Sequence, residues 1–171
     1  MAKGDELLEE IRALRRRLAQ ALREAHNRKV SLGDLIADRW ETAREYGFGE
    51  GSSCYDNVLV LGDVKVGRNT WIGPNVILDG SGGLEIGDHC SISAGVHIYS
   101  HHTVERSTSL GEKPVDRAPV KIGHGVYIGP QSVIEKGVTL GDKCVVGAMS
   151  LVNADVPAGA RVWGIPARVQ K

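Results

Sequence analysis

The stretch VKIGHGVYIGPQSVIEKGVTLGDKCVVGAMSLV, residues 120–152, repeats every six residues. Ile122, Ile128, Ile134, Leu140, Val146 and Val152 fall in one column. Four residues further on lies a second column of small or β-branched residues: Val126, Ser132, Val138, Cys144, Ser150 and Val156. Working outward, the aliphatic column continues upstream at Ile86, Ile92 and Ile98, and again at Val60, Val66, Ile72 and Leu78. All thirteen of its positions are Val, Ile or Leu. The small column continues at Val64, Thr70, Val76, Cys90 and Val96. Glycine often follows the aliphatic residue, as at Gly67, Gly73, Gly87, Gly123, Gly129, Gly141 and Gly147.

A fixed short period is the signature of a solenoid. Six residues suit a short strand plus a corner, and three such strands close a triangular coil. The corners call for a permissive backbone, which the repeated Gly is expected to supply. The interior is narrow and takes Val, Ile, Leu, Cys and Ser rather than large rings. Composition agrees: the 171 residues include 22 Gly but one Phe. Each inward aliphatic contributes roughly 1.5–3 kcal/mol of burial. Cys90 and Cys144 stand in the inward column and read as packing thiols.

The repeat breaks twice, and the chemistry of a solenoid is expected where regularity fails. The first break, Asp79-Gly80-Ser81-Gly82-Gly83, slips the register by two residues. It reads as a tight turn or as the wall of a pocket, with Asn75 and Asp79 as candidate acceptor-binding residues. The second break runs from Tyr99 to Pro119. Glu105, Arg106, Glu112, Lys113, Asp116 and Arg117 make it a poor solenoid rung, so a protruding loop is expected. Glu105 and Arg106 are further candidates for contact with a substrate. His101 and His102 open the loop. A histidine with an ordinary pKa of about 6.5 can accept a proton at neutral pH, as an attacking hydroxyl or amine requires. Two exposed loop histidines are the alternative reading.

The rows Trp71-Ile72-Gly73-Pro74-Asn75-Val76, Tyr127-Ile128-Gly129-Pro130-Gln131-Ser132 and Val146-Gly147-Ala148-Met149-Ser150-Leu151 resemble the hexapeptide-repeat acyltransferases. The resemblance covers about residues 58–169. It implies an all-β solenoid, a left-handed parallel β-helix, assembled as a homotrimer. In the maltose and galactoside branch, and in related polysaccharide acetyltransferases, a His opens the loop after such a strand. Ile98-Tyr99-Ser100-His101 matches that position, so His101 inherits the general-base role, with His102 as runner-up. The resemblance implies acetyl-CoA as co-substrate and a sugar hydroxyl or amine as acceptor. It places Tyr127 and Ala148 along the pantetheine and Arg168 and Lys171 near the nucleotide phosphates. Ala154 departs from relatives that carry a Lys after the late coil. Two other classes share this fold: a non-catalytic scaffold and a γ-carbonic-anhydrase-like zinc enzyme. The latter needs three converging His, and Gly129 stands where one would be required, so no metal site is expected.

Residues 1–50 differ in kind and read as a separate helical region, with residues 51–171 as the β-helix domain and its loop at 99–119. Leu7, Ile11, Leu14, Leu18, Ala21 and Ala25 form a heptad seam of about three repeats. It fits a self-association helix, possible in a trimer, and equally a helix packed on its own domain. A second helix is expected from Ser31 to Gly47, with Ser31 and Asp34 as a capping pair. Lys+Arg and Asp+Glu both number 21, so no overall charge draws the chain to nucleic acid or anionic lipid. No apolar run approaches the roughly 20 residues of a membrane span. The charged start is unlike a secretory signal, and three Cys without metal-ligand spacing fit a reducing, cytoplasmic setting.

Overall fold

The computed structural model describes residues 3–170. The chain opens with α1 (Lys3–His26), α2 (Gly33–Ile36) and α3 (Arg39–Glu45). Five coils and the start of a sixth follow, with strands stacked on three faces. The first coil holds β1 (Ser53–Cys54) and β2 (Leu59–Val66); the second holds β3 (Trp71–Ile72) and β4 (Ile77–Ile86). The third holds β5 (Ser91–Ile92) and β6 (His97–Ile98). It then leaves the solenoid through β7 (His101–His102), α4 (Val104–Thr108) and β8 (Asp116–Arg117), and returns in β9 (Val120–Ile122). β10 (Tyr127–Ile128), β11 (Val133–Ile134) and β12 (Thr139–Leu140) form the fourth coil, and β13 (Val145–Val146) and β14 (Leu151–Val152) the fifth. β15 (Arg161–Gly164) begins a sixth, and β16 (Ala167–Val169) folds back antiparallel on it.

Stacked coils pair in parallel. On the first face the order is β1-β3-β5-β10-β13-β15. The second face stacks the starts of β2 and β4 with β6, β11 and β14. The third stacks the ends of β2 and β4 with β9 and β12. The architecture is the left-handed parallel β-helix that the resemblance implied, and it begins at Ser53, one face earlier than the repeat was legible.

The aliphatic column fills the interior. Twelve of its thirteen members are buried, and Val60 in the outermost coil is partly so. Cys54 occupies the same column in the first coil, and Cys90 and Cys144 are buried in the second. Burial raises the Cys54 thiol to about 12 and the Cys144 thiol to about 11, as packing groups should show. Val156 departs from its expected column. It bridges to Leu140, so it takes the aliphatic position. The last coil is therefore two residues short, which the six-residue count misses.

The repeated glycines have a different cause from the one expected. None of the seven has positive φ. A Cβ on any of them would come within 3.0 Å of the next coil; on Gly129 it would lie 2.5 Å from the Ala148 nitrogen. They are small because the coils stack closely. The left-handed corner residue comes two positions later, at Asn69, Asn75, His89, Gly125, Gln131, Lys143 and Met149. Asn75 illustrates the local compensation. It exchanges hydrogen bonds with Asn57 of the coil before, donating its N–H over 3.1 Å and accepting from Nδ2 over 3.0 Å.

At the other end, the single helix expected after Ser31 is two. Ala37 is extended, and Asp38 accepts from the N–H groups of Trp40 and Glu41 to start α3 anew. The Ser31 hydroxyl does accept from the Asp34 N–H, at 3.5 Å. The heptad seam of α1 is largely open: Leu7, Ile11 and Leu14 are 57%, 43% and 41% exposed. The half-buried residues of α1 are Leu18, the fourth member of the seam, with Ala19 and Leu22 beside it. No described helix is long and apolar enough to cross a membrane.

The core makes one quantitative expectation. Ile128 is fully buried between Ile92 and Val146. Ile128→Ala should cost about 2–5 kcal/mol in urea denaturation, because stacked coils cannot collapse into the void.

Candidate active site

Both breaks in the repeat fall at the corner between the second and third faces. β4 does not turn off at Gly80; it runs through the corner beside β2, and Ser81, Gly82 and Gly83 stand opposite Asp63 alone. The slip is a two-residue bulge inside a continuous strand. In the next coil the same corner releases the loop. The bulge presses on the loop's root. The Ser100 hydroxyl accepts from the Gly82 N–H at 2.7 Å, and the Ala118 N–H donates to the Ser100 carbonyl at 3.0 Å. A side chain on Gly82 would collide with that carbonyl, so only Gly lets bulge and loop meet.

This junction holds His101 and Asp79 together. The Asp79 carboxylate is fully buried. It accepts from the Ser81 N–H and the Ser100 N–H, each at 3.0 Å. Its Oδ2 also accepts a hydrogen bond from His101 Nδ1 at 2.5 Å. Burial works to raise the Asp79 carboxyl, but the bonds from Ser81, Ser100 and His101 outweigh it and hold the group at about 2. An ionised Asp79 can only accept, so Nδ1 is the protonated ring nitrogen. Nε2 is then the lone-pair nitrogen, on a side chain 30% exposed. The pair has the geometry of an oriented base: one nitrogen fixed by a buried carboxylate, the other free to take a proton.

His102 is placed differently. It lies across β7–β8 from Asp116, with Nε2 3.4 Å from the carboxylate, which Lys136 also reaches at 2.9 Å. The Lys136 hydrogen bond is the main cause that holds Asp116 below the usual carboxylate range. The other nitrogen of His102 is buried without a partner. His102 thus ties the loop's two strands at their base.

The other candidate residues divide. Asp79, expected as an acceptor ligand, is wholly enclosed and cannot touch one; its place is behind His101. Asn75 stands at the corner between the first and second faces, away from His101, and is held by Asn57. Glu105 and Arg106 belong to α4 and make contacts within the loop, Glu105 to Lys113 at 2.5 Å and Arg106 to the Gly111 carbonyl at 3.4 Å. Tyr127 points outward from the first face, 42% exposed. Ala148 is exposed at the first corner, and Arg168 is exposed on β16. One chain therefore does not bring Tyr127, Ala148 and Arg168 to His101. Lys171 lies outside the described residues. Among the described residues no three His, Cys, Asp or Glu side chains group as a metal site. Sequence reasoning missed Ser81 and Ser100, whose backbone groups fix Asp79. The two-residue slip was the available signal.

Comparison with known proteins bears on this arrangement. The family model "Bacterial transferase hexapeptide (six repeats)" matches residues 119–154, and "Hexapeptide repeat of succinyl-transferase" matches residues 63–100. Both matches are to hexapeptide repeats of transferases, and they fall on the coils before and after the loop. It is 31% identical to the galactoside O-acetyltransferase of Escherichia coli (strain K12) over 112 residues, 63% of this chain and 53% of that protein. The chain thus spans about half the length of that relative. Its fold matches a hexapeptide-repeat acetyltransferase of Vibrio cholerae O1 solved with acetyl coenzyme A. The TM-score is 0.70 and the identity 29%, over 95% of this chain and 88% of that one. It also matches AntD, an N-acyltransferase of Bacillus cereus solved with dTDP and coenzyme A. There the TM-score is 0.66 and the identity 26%, over 72% of this chain and 71% of that one.

Proposed function

We propose that this protein is an acetyl-CoA-dependent acetyltransferase acting on a hydroxyl or amine of a sugar, such as a nucleotide-linked or surface-polysaccharide precursor. The observation that carries the reading is the His101–Asp79 pair at the loop's root. A scaffold gains nothing from a buried carboxylate that fixes a histidine's tautomer while leaving Nε2 open. The names of the relatives, O-acetyltransferase and N-acyltransferase, support the class of reaction and leave both acceptor atoms open.

His101 Nε2 takes the proton of the acceptor hydroxyl or ammonium-derived amine as the oxygen or nitrogen attacks the thioester carbonyl. The carbon–sulfur bond breaks, and the departing thiolate receives that proton from the imidazolium. Asp79, ionised throughout, stabilises the transient imidazolium. No covalent enzyme intermediate is needed. Tyr127, Ala148 and Arg168 lie along and beyond the first face, so they would serve the His101 of a second copy. This is the arrangement of a homotrimer with its cofactor groove between subunits. The open seam of α1 offers a further self-association surface. Its parallel pairing would set Glu10 opposite Arg15 of the neighbouring helix.

The test is release of free thiol from acetyl-CoA on adding a panel of sugars and nucleotide-linked amino sugars. Acceptor-dependent release is expected. If coenzyme A neither binds nor is released with any acceptor, the scaffold reading replaces this one.

A further inference from the structure

The chain has no net charge, yet cations gather at one place away from the loop. Two cavities flank the linker between α1 and α2 and share Arg28 and Val30 as walls. The smaller, about 150 Å³, is lined by Arg15, Arg23, Arg28 and Lys29 and by no carboxylate. Arg15 and Arg23 lie two helical turns apart, on one flank of α1. The larger, about 460 Å³, lies between the last turns of α1 and the first coil, with Trp40 and Tyr55 in its wall. The Arg39 guanidinium stacks 4.4 Å from the Trp40 ring centroid, and Arg28 donates to the Tyr55 hydroxyl at 2.7 Å.

Two features show that this cleft is built for something it does not itself supply. Among the described residues, Arg15, Arg23, Arg28, Lys29 and Arg39 form no salt bridge with any carboxylate. The Arg39 Nε is buried without a hydrogen-bond partner, a costly state for a charged donor. The two carboxylates in the larger cavity are already committed. Asp38 caps α3, and Asp34 accepts from Ser31 and from the Asp56 N–H.

We infer that this double cavity binds a phosphorylated ligand with a planar ring, the chemistry of a nucleotide. Its phosphate oxygens lie against Arg15, Arg23, Arg28 and Lys29, and its ring against Trp40 and Tyr55. Guanidinium and ammonium groups suit phosphate through charge-assisted bonds. An aromatic wall with a stacked guanidinium suits a base. The larger cavity falls in the size range of small-molecule sites, about 300–1,000 Å³. The ligand is a free nucleotide, because the coenzyme's own phosphates are assigned to Arg168 on β16, at the opposite end of the solenoid. The site uses the helical region and the first coil, whereas His101 belongs to the third, so occupancy is independent of catalysis.

Isothermal titration of the full chain with ADP, UDP, coenzyme A and inorganic phosphate tests this. A nucleoside diphosphate should bind more tightly than phosphate and more weakly at high salt. Arg23→Gln, at an exposed position, and Arg39→Gln should each weaken binding about tenfold, whereas His101→Ala should bind as wild type. Coenzyme A should not displace ADP; displacement that is lost in Arg23→Gln would assign the cleft to the coenzyme and overturn the proposal. Unchanged nucleotide binding in Arg23→Gln and Arg39→Gln, phosphate binding as tight as ADP, or no binding at millimolar concentration overturns the proposal. None of these outcomes depends on thiol release, so the acetyltransferase reading stands or falls separately.

Discussion

His101→Ala should lower turnover with any accepted sugar by about 10²–10⁴-fold, the usual contribution of a positioned base. The melting temperature should change little. The ring is 30% exposed and its one bond is to Asp79, so the loss is chemical more than structural. KM for acetyl-CoA should stay near wild type, because no part of the cofactor need touch the imidazole for binding. His102→Ala is the informative partner. That residue holds the loop's base through Asp116, so it should loosen the loop and reduce activity only a fewfold. Near-normal turnover in His101→Ala, with turnover abolished in His102→Ala, would move the base one residue along.

The fold was legible because its signal is redundant. Thirteen aliphatic positions at one spacing can hardly mean anything but a solenoid. The reason for the glycines was not legible, since corner strain and close stacking both select Gly. Only the structure separates Gly73, which lacks room, from Asn75, which carries the left-handed turn. The short last coil escaped because Val156 suits either column. At the site, His101 was visible as a histidine where the repeat breaks. Its partner was not assigned, because Asp79 is 22 residues away and reaches it only when two irregular corners stack. The helical region divided where the pattern predicted continuity, for a local reason: Asp38 is a stronger N-cap than the apolar spacing from Leu32 to Ala43 is a helix signal.

Asp79 should matter in two measurable ways, and they can be told apart. Asp79→Asn keeps the shape but removes the charge that fixes His101 as the Nδ1-protonated tautomer. Turnover should fall roughly 10²-fold, within the span for a disabled base, with KM little changed. The ¹⁵N shifts of the His101 ring should show the protonated nitrogen no longer fixed at Nδ1, a readout that a purely structural carboxylate would leave alone. Asp79→Ala goes further. It strands the buried N–H groups of Ser81 and Ser100, at about 1–3 kcal/mol each. The acid limb of stability supplies the second measure. The folded carboxyl lies at about 2, below the ordinary value of 3.8, so its stabilisation is complete above about pH 4 and is lost as pH falls through 2. A shift of that size corresponds to about 2 kcal/mol. Urea denaturation at pH 5 and pH 2 should therefore show wild type losing that increment relative to Asp79→Asn, whose side chain does not titrate. Equal acid sensitivity in the two proteins would mean that Asp79 is not held as an ionised partner. The tautomer argument for His101 would then fail with it.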